Sequence, residues 1–170
     1  MVEYQKGDLL GADVDIIAHQ VNCEGVMNVG LSKELRTRTK NLLKEYKDFC
    51  KEQKFNERML GMVQIVEAEF YSTRKQLVAN LFGQFTKTEE GIRNTDYTSL
   101  KQALTHLRIM CETLDFATKD GVWRIGLPDD LGCEFGIGEW RIVDKIIHDV
   151  FDEHEDVIAI IFSEEQKDVV

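Results

Sequence analysis

At 170 residues, with 43% hydrophobic and 31% charged residues, the chain has the composition of one globular domain spanning 1–170, with material for a sizeable core. One proline and twelve glycines leave no room for a long Pro/Gly linker, and no apolar run approaches the ~18 residues of a membrane span, so no membrane association is expected. A formal net charge of −10 disfavours generic binding to nucleic acid backbone, which needs basic patches, yet leaves room for a small anion held by backbone amides in a cleft.

Periodicity predicts alternating strands and helices in chain order. Val2 to Leu10 reads as a first strand ending at Gly7-Asp8-Leu9, and Val14 to Val21 as a second. Leu31, Leu35, Leu42, Leu43, Tyr46 and Phe49 share a helical face, which predicts a helix from about Ser32 to Lys51. Met62 to Ala68 and Leu77 to Gly83 are β-rich runs. Asp96 is placed to cap a helix that turns Leu100, Ala103, Leu104, Leu107, Met110, Cys111 and Leu114 inward, with Gly121 ending it. Val122 to Leu127 follows as a strand, then an amphipathic helix through Trp140, Val143, Ile146, Ile147, Val150 and Phe151. Val157 to Phe162 is the last buried strand. This alternation suits a layered α/β domain whose ligand lies beyond the carboxyl ends of the strands. Cys23, Cys50, Cys111 and Cys133 form no CxxC pair, and Met1 to Gly7 lacks the basic and apolar segments of a secretory signal. Reduced thiols and a cytoplasmic location are therefore expected.

The most telling stretch is the junction of the second strand with the following helix, Ala18-His19-Gln20-Val21-Asn22-Cys23-Glu24-Gly25-Val26-Met27. A strand ending in a polar Asn, then a glycine-bearing loop and a helix start, suits a phosphorylated ligand, because free N–H groups near a helix start attract anions. That sequence closely resembles the first ligand loop of macro domains, the ADP-ribose-binding fold, in the branch met in bacterial and phage proteins. Further segments carry the resemblance along nearly the whole chain: Gly7-Asp8-Leu9, Val78-Ala79-Asn80-Leu81-Phe82-Gly83-Gln84 followed by Arg93-Asn94-Thr95-Asp96-Tyr97, Ile125 through Trp140, and Ala159-Ile160-Ile161-Phe162. The resemblance implies a three-layer α/β/α fold with a mixed central sheet.

It also implies roles for particular residues. Asp8, beside Leu9, would accept the adenine amino group, although an Asp there also reads as a simple turn former. Asn22 would contact the distal ribose, or else close its strand by bonding its own backbone. Val29, Gly30 and Leu31 would face the ligand from the first loop. Gly132, Cys133, Glu134, Phe135 and Gly136 would wrap the diphosphate, with the Glu134 carboxylate turned away from it. Phe162 would lie beside the adenine or proximal ribose. Relatives follow the loop Met with Gly-Ala-Gly or Gly-Ser-Gly. Here Asn28-Val29-Gly30 follows Met27, which narrows the space beside the distal ribose. In the branch that removes terminal ADP-ribose, a lysine and an aspartate stand where this chain has Gln84 and Gly136, which argues against a lysine-based route.

His19, Asn22 and Glu139 are the leading catalytic candidates, with Asp129, Asp130 and Glu134 as further acids or bases if they face the cleft. His19 reads slightly better as a satisfied core histidine, and Glu139 also reads as a charge that suits a helix start. No His, Cys, Asp or Glu spacing points to a metal, and no cofactor is implied. The reading is hydrolysis of an ADP-ribose derivative, either ADP-ribose 1''-phosphate or an ADP-ribosyl ester. The alternative is a non-catalytic module that recognises or sequesters ADP-ribose, free or attached to a macromolecule.

Overall fold

The computed structural model describes residues 1–86, 94–113, 118–133 and 136–164. Six strands make one sheet: β1 (Val2–Lys6), β2 (Ile16–Val21), β3 (Val63–Glu69), β4 (Lys75–Phe82), β5 (Trp123–Pro128) and β6 (Val157–Ser163). Their order is β1-β6-β5-β2-β4-β3, with β3 antiparallel to β4 and every other pair parallel. The near-continuous apolar character of β2, β4, β5 and β6 follows from this arrangement. Parallel strands are covered on both faces and need no polar alternation.

Among the described residues, four helices supply the cover: α1 (Gly30–Arg38), α2 (Leu42–Glu52), α3 (Tyr97–Thr113) and α4 (Trp140–Phe151). Ile16 and Ala18 of β2 join Ala79, Leu81, Ile125, Leu127, Ala159 and Ile161 against α3 and α4. Ile17 and Val21 turn the other way, with Val78, Phe82, Ile160 and Phe162, against Leu35 of α1 and Leu42, Tyr46 and Cys50 of α2. The result is the three-layer α/β/α arrangement with a mixed sheet that the sequence predicts. In α4, Val143, Ile146, Ile147, Val150 and Phe151 are buried at the i, i+3, i+4, i+7, i+8 spacing of one helical stripe.

Two boundaries differ from expectation. The helix predicted from Ser32 to Lys51 is two helices, broken at Thr39–Asn41. Thr39 takes extended backbone and bridges Phe70, Lys40 N donates to Glu69 O, and the Asn41 side chain pairs with both Glu67 O and Glu69 N. The backbone groups that a continuous helix would satisfy internally are here satisfied by the chain beside β3, a tertiary gain that no helical periodicity reports. The first strand ends at Lys6, because Asp8 Oδ1 accepts from Leu10 N at 3.0 Å and turns Leu9–Gly11 into a short 3-10 turn. Asp96 caps α3 as expected, its Oδ1 accepting from Ser99 N at 2.7 Å. Leu114 lies outside the described residues.

Gly126 fixes how closely the first turn packs on the sheet. A Cβ there would meet Leu9 Cδ1 at 2.6 Å and Val14 Cγ2 at 3.2 Å. Gly126→Val should therefore cost about 1–3 kcal/mol by overpacking, read as a lower urea midpoint. An unchanged midpoint would mean that Leu9 moves aside freely.

Candidate functional site

The carboxyl ends of β1, β2, β5 and β6 open into a cleft with two parts. The larger, about 610 Å³, is lined by Gly7, Asp8, Leu9, Phe162, Glu34 and the Pro128–Asp130 segment, among others. The narrower, about 90 Å³, reaches His19, Gln20, Asn22, Ser32, Gln84, Gly132 and Gly136. Gly30, Leu31 and Asp130 line both, so the parts meet at the start of α1. The larger part is of the size that holds a nucleotide-sized ligand. The narrow end has room for a reacting group and little else.

Two of the polar groups at the narrow end, His19 and Gln20, come from β2. His19 is buried between two partners: Nδ1 lies 3.1 Å from Ser32 Oγ, and Nε2 lies 2.6 Å from Asn80 Oδ1. Asn80 is the register neighbour of His19 on β4, so the pair meets because the two strands are parallel and in register. Burial pushes the His19 imidazole down to about 4, with the Asn80 hydrogen bond opposing that shift. Gln20 Nε2 donates to Gln84 Oε1 at 2.8 Å and to Thr95 Oγ1 at 2.9 Å, and Thr95 Oγ1 donates to Gly132 O at 2.6 Å. Gln84 Nε2 donates onward to Thr86 O.

The Asn22 side chain holds the loop that it begins. Its Nδ2 donates to Val26 O at 2.8 Å, while Oδ1 accepts from Glu24 N and Val26 N. The buried Tyr46 hydroxyl lies 2.6 Å from Asn22 O and 2.9 Å from Asn22 Oδ1. Asn22 thus lines the narrow pocket while its side chain is engaged in the turn. Gly30 (φ 52°) and Gly132 (φ 68°) take left-handed backbone, on opposite sides of the cleft. Asn28 Oδ1 accepts from Arg36 Nη1 at 2.9 Å, and Val29 is exposed beside it at the mouth.

Most of the ligand-contact residues expected from sequence are brought together here: Asp8, Leu9 and Phe162 in the larger part, Val29, Gly132 and Gly136 in the narrow part, Gly30 and Leu31 in both. Glu139 is exposed at the start of α4 and outside the lining of either part. Cys133 is half-buried, with Sγ near Leu131 O, and burial holds its thiol up at about 11. Burial likewise pushes Cys23 up to about 12. Both thiols are thus poor nucleophiles near neutrality. Glu134 and Phe135 lie outside the described residues. Among the described residues, no group of three or more His, Cys, Asp or Glu is placed to hold a metal, and no helix is long and apolar enough to cross a membrane.

No family model matches the sequence. The macrodomain of Mycobacterium tuberculosis DarG superposes with a TM-score of 0.75 at 24% identity, covering 97% of this chain and 99% of that one. The fold is that of a macrodomain. Thermosipho africanus DarTG in complex with ADP-ribose gives a TM-score of 0.70 at 19% identity, covering 95% of this chain and 42% of that one. A curated relative, the DNA ADP-ribosyl glycohydrolase of Mycobacterium tuberculosis, is 24% identical over 162 residues, 95% of this chain. The chain spans only 42% of that relative's length.

Sequence reasoning passed over several groups that the structure places in the cleft. Ser32 was legible only as a helix start, Gln20 only as part of a strand, and Glu34 only as a helix residue. Asn80 carried a family motif without a role. The available signal was polarity at buried strand positions: His19 and Asn80 each interrupt an apolar run on the same face of the sheet.

The depressed His19 value has a stability consequence. Above pH 6.5 the ring is neutral whether the chain is folded or not, and its contribution is complete. As pH falls from 6.5 towards 4, the unfolded chain takes up a proton that the native chain refuses, so stability is lost. The loss at His19 should approach roughly 3 kcal/mol. Urea unfolding at pH 7 and pH 4.5 should show a larger drop for the parent than for His19→Gln. Equal drops would mean that native His19 protonates readily.

Proposed function

We propose that this chain binds ADP-ribose and hydrolyses an ADP-ribose derivative, an ADP-ribosyl ester or ADP-ribose 1''-phosphate, in the two-part cleft. The shape of that cleft carries the reading. A nucleotide-sized chamber containing a carboxylate and an aromatic ring opens, past the glycine-bearing start of a helix, into a narrow end furnished with an imidazole and amides. Adenine would lie towards Asp8 and Phe162, with the diphosphate between the start of α1 and the Gly132–Gly138 loop. The distal ribose would then meet His19, Gln20 and Asn22. Two relatives support this reading, one solved with ADP-ribose and one described as a DNA ADP-ribosyl glycohydrolase. An ADP-ribosylated macromolecule would approach from the open mouth beside Val29. The four free thiols, three of them buried, favour a reducing compartment, the cytoplasm.

A second reading, a module that only binds, is favoured by the rim of the narrow end. Asn28 and Val29 occupy it, and Gln84, where lysine-using relatives carry their reactive amine, is tied to Gln20 and Thr86. Release of ADP-ribose from an ester, or of inorganic phosphate from ADP-ribose 1''-phosphate, separates the two. Turnover of neither, with tight ADP-ribose binding, would leave the binding module.

Calorimetric titration with ADP-ribose tests the shared core of both readings. Asp8→Ala should weaken binding by about 1–3 kcal/mol, the worth of a hydrogen bond to a charged acceptor, and the inosine analogue should bind the parent poorly. No heat with ADP-ribose would sink the reading.

The larger chamber is unusual in its charge. Asp8, Glu34, Asp129, Asp130 and Glu164 line it, and desolvation followed by the neighbouring Asp130 holds the Asp129 carboxyl above its ordinary value. Backbone amides must then outweigh this field, so added salt, which screens it, should hold or improve ADP-ribose affinity between about 20 and 200 mM. A steep loss of affinity with salt would instead demand cationic contacts to the ligand.

A further inference from the structure

The polarity of the hydrogen bonds around His19 is fixed by a backbone carbonyl. Glu45 O, on α2, can only accept, and Gln64 Nε2 donates to it at 3.0 Å. Gln64 therefore presents Oε1 to Asn80, whose Nδ2 donates to it at 3.0 Å. Asn80 in turn presents Oδ1 to His19, so Nε2 of the neutral ring carries the proton. Nδ1 is left with a lone pair facing Ser32, and the Ser32 hydroxyl must be the donor across the 3.1 Å between them. His19, Asn80 and Gln64 are register neighbours across β2, β4 and β3, so the relay is built into the strand pairing and not into a loop. At its far end Ser32 lies half-buried in the first turn of α1 and lines the narrow end of the cleft.

We infer that Ser32 is a nucleophile, with His19 as its general base and Asn80 as the group that holds the tautomer: a Ser–His–Asn triad that makes this macrodomain a serine esterase for acyl groups. The arrangement meets the geometric test for such a triad, a hydroxyl within reach of a base that a third group orients. In the reaction, Ser32 Oγ bonds to the acyl carbon of the ester as its proton passes to His19 Nδ1. The tetrahedral oxyanion forms beside the first-turn N–H groups of α1, which helix geometry leaves without intrahelical acceptors. Its collapse breaks the bond to the alcohol oxygen, which leaves with the proton from His19. Water then adds to the acyl-serine and gives a proton to His19, which passes it to Ser32 Oγ as the C–O bond to serine breaks and the carboxylic acid departs. One ester and one water become one acid and one alcohol, with no other reactant. Burial favours the neutral form of His19 that the relay requires at rest and disfavours the imidazolium, which is therefore only a transient of each half-reaction.

The choice of substrate rests on the ADP-ribose reading above: of the two derivatives proposed, it selects the ester over the phosphomonoester. The triad itself is testable without any nucleotide. The protein is incubated with a small activated aryl acetate and, separately, with a fluorophosphonate probe, and the modified peptide is located by mass spectrometry. Modification of Ser32 is expected with both reagents. It should be absent in Ser32→Ala that keeps the parent's circular dichroism and urea midpoint, and slowed by at least about a hundredfold in His19→Gln. Should His19→Gln fail to fold, Asn80→Ser, which removes the tautomer-holding acceptor from the ring, should slow the same reaction at least about tenfold. Absence of modification at Ser32 with either reagent, or equal rates in the folded His19 or Asn80 variants, overturns the inference. Protection of Ser32 by ADP-ribose reports on the nucleotide alone. Labelling without protection would keep the nucleophile while removing ADP-ribose from the cleft.

Discussion

The molecule is organised by the burial of β2. This strand lies between β5 and β4 with helices over both faces, so any polar group it carries must be satisfied within the protein or cost a few kcal/mol. It carries two near its carboxyl end and a third follows directly after it, and each draws in a different part of the chain. His19 brings together α1 and β4 through Ser32 and Asn80. Gln20 joins Gln84 and Thr95, and through Thr95 the loop at Gly132. Asn22, just past the strand, pins its own turn and takes the Tyr46 hydroxyl from α2. The walls of the narrow end are thus held by the needs of one strand.

How much of this the sequence disclosed follows from the range of the forces involved. The α/β alternation and the α4 stripe were legible because apolar periodicity is local and repeated, whereas the three layers and the mixed sheet were legible only through the family resemblance. The break between α1 and α2 was not, because the groups that replace the helical bonds come from Glu67, Glu69 and Phe70, about thirty residues further along the chain. The two sides of the cleft were legible through family wording, and Asn22 was legible both as a ligand contact and as the residue that bonds its own backbone, a choice that only its bonds to Glu24 and Val26 decide for the structure without ligand. The pairing of His19 with Asn80 was hidden for a simpler reason. Their 61-residue separation becomes contact only through the β2–β4 register.

The acidic lining changes what the cleft must do with an anionic ligand. In a basic site, attraction gathers the ligand from a distance and loose geometry is tolerated. For the ligand proposed above, attraction would begin only at hydrogen-bond range, from backbone N–H groups. Discrimination between phosphates and neutral groups would then depend on how well the loops at Gly30 and Gly132 are shaped, and much less on charge. A field of this sign would also lower the local concentration of free nucleotides, so ligands with a neutral or cationic attachment would gain an advantage at the mouth.

Gln20 has a role that its place in a strand conceals. A Cβ on Gly83 or Gly132 would run into its amide oxygen, and one on Gly136 would overlap Thr95 Oγ1 and Gly132 O beside its amide nitrogen. Two glycines from distant segments, Gly83 and Gly132, are therefore matched to the volume of one side chain, while Gly136 is matched to Thr95 and to the Gly132 carbonyl. Shortening Gln20 would open a void beneath both segments at once and give a side chain room at 83, while left-handed backbone at 132 and the Thr95 and Gly132 oxygens at 136 would still bar one. The loops that shape the cleft are not independent parts that can be exchanged singly. They can be re-cut only as a set, with position 20 as the template.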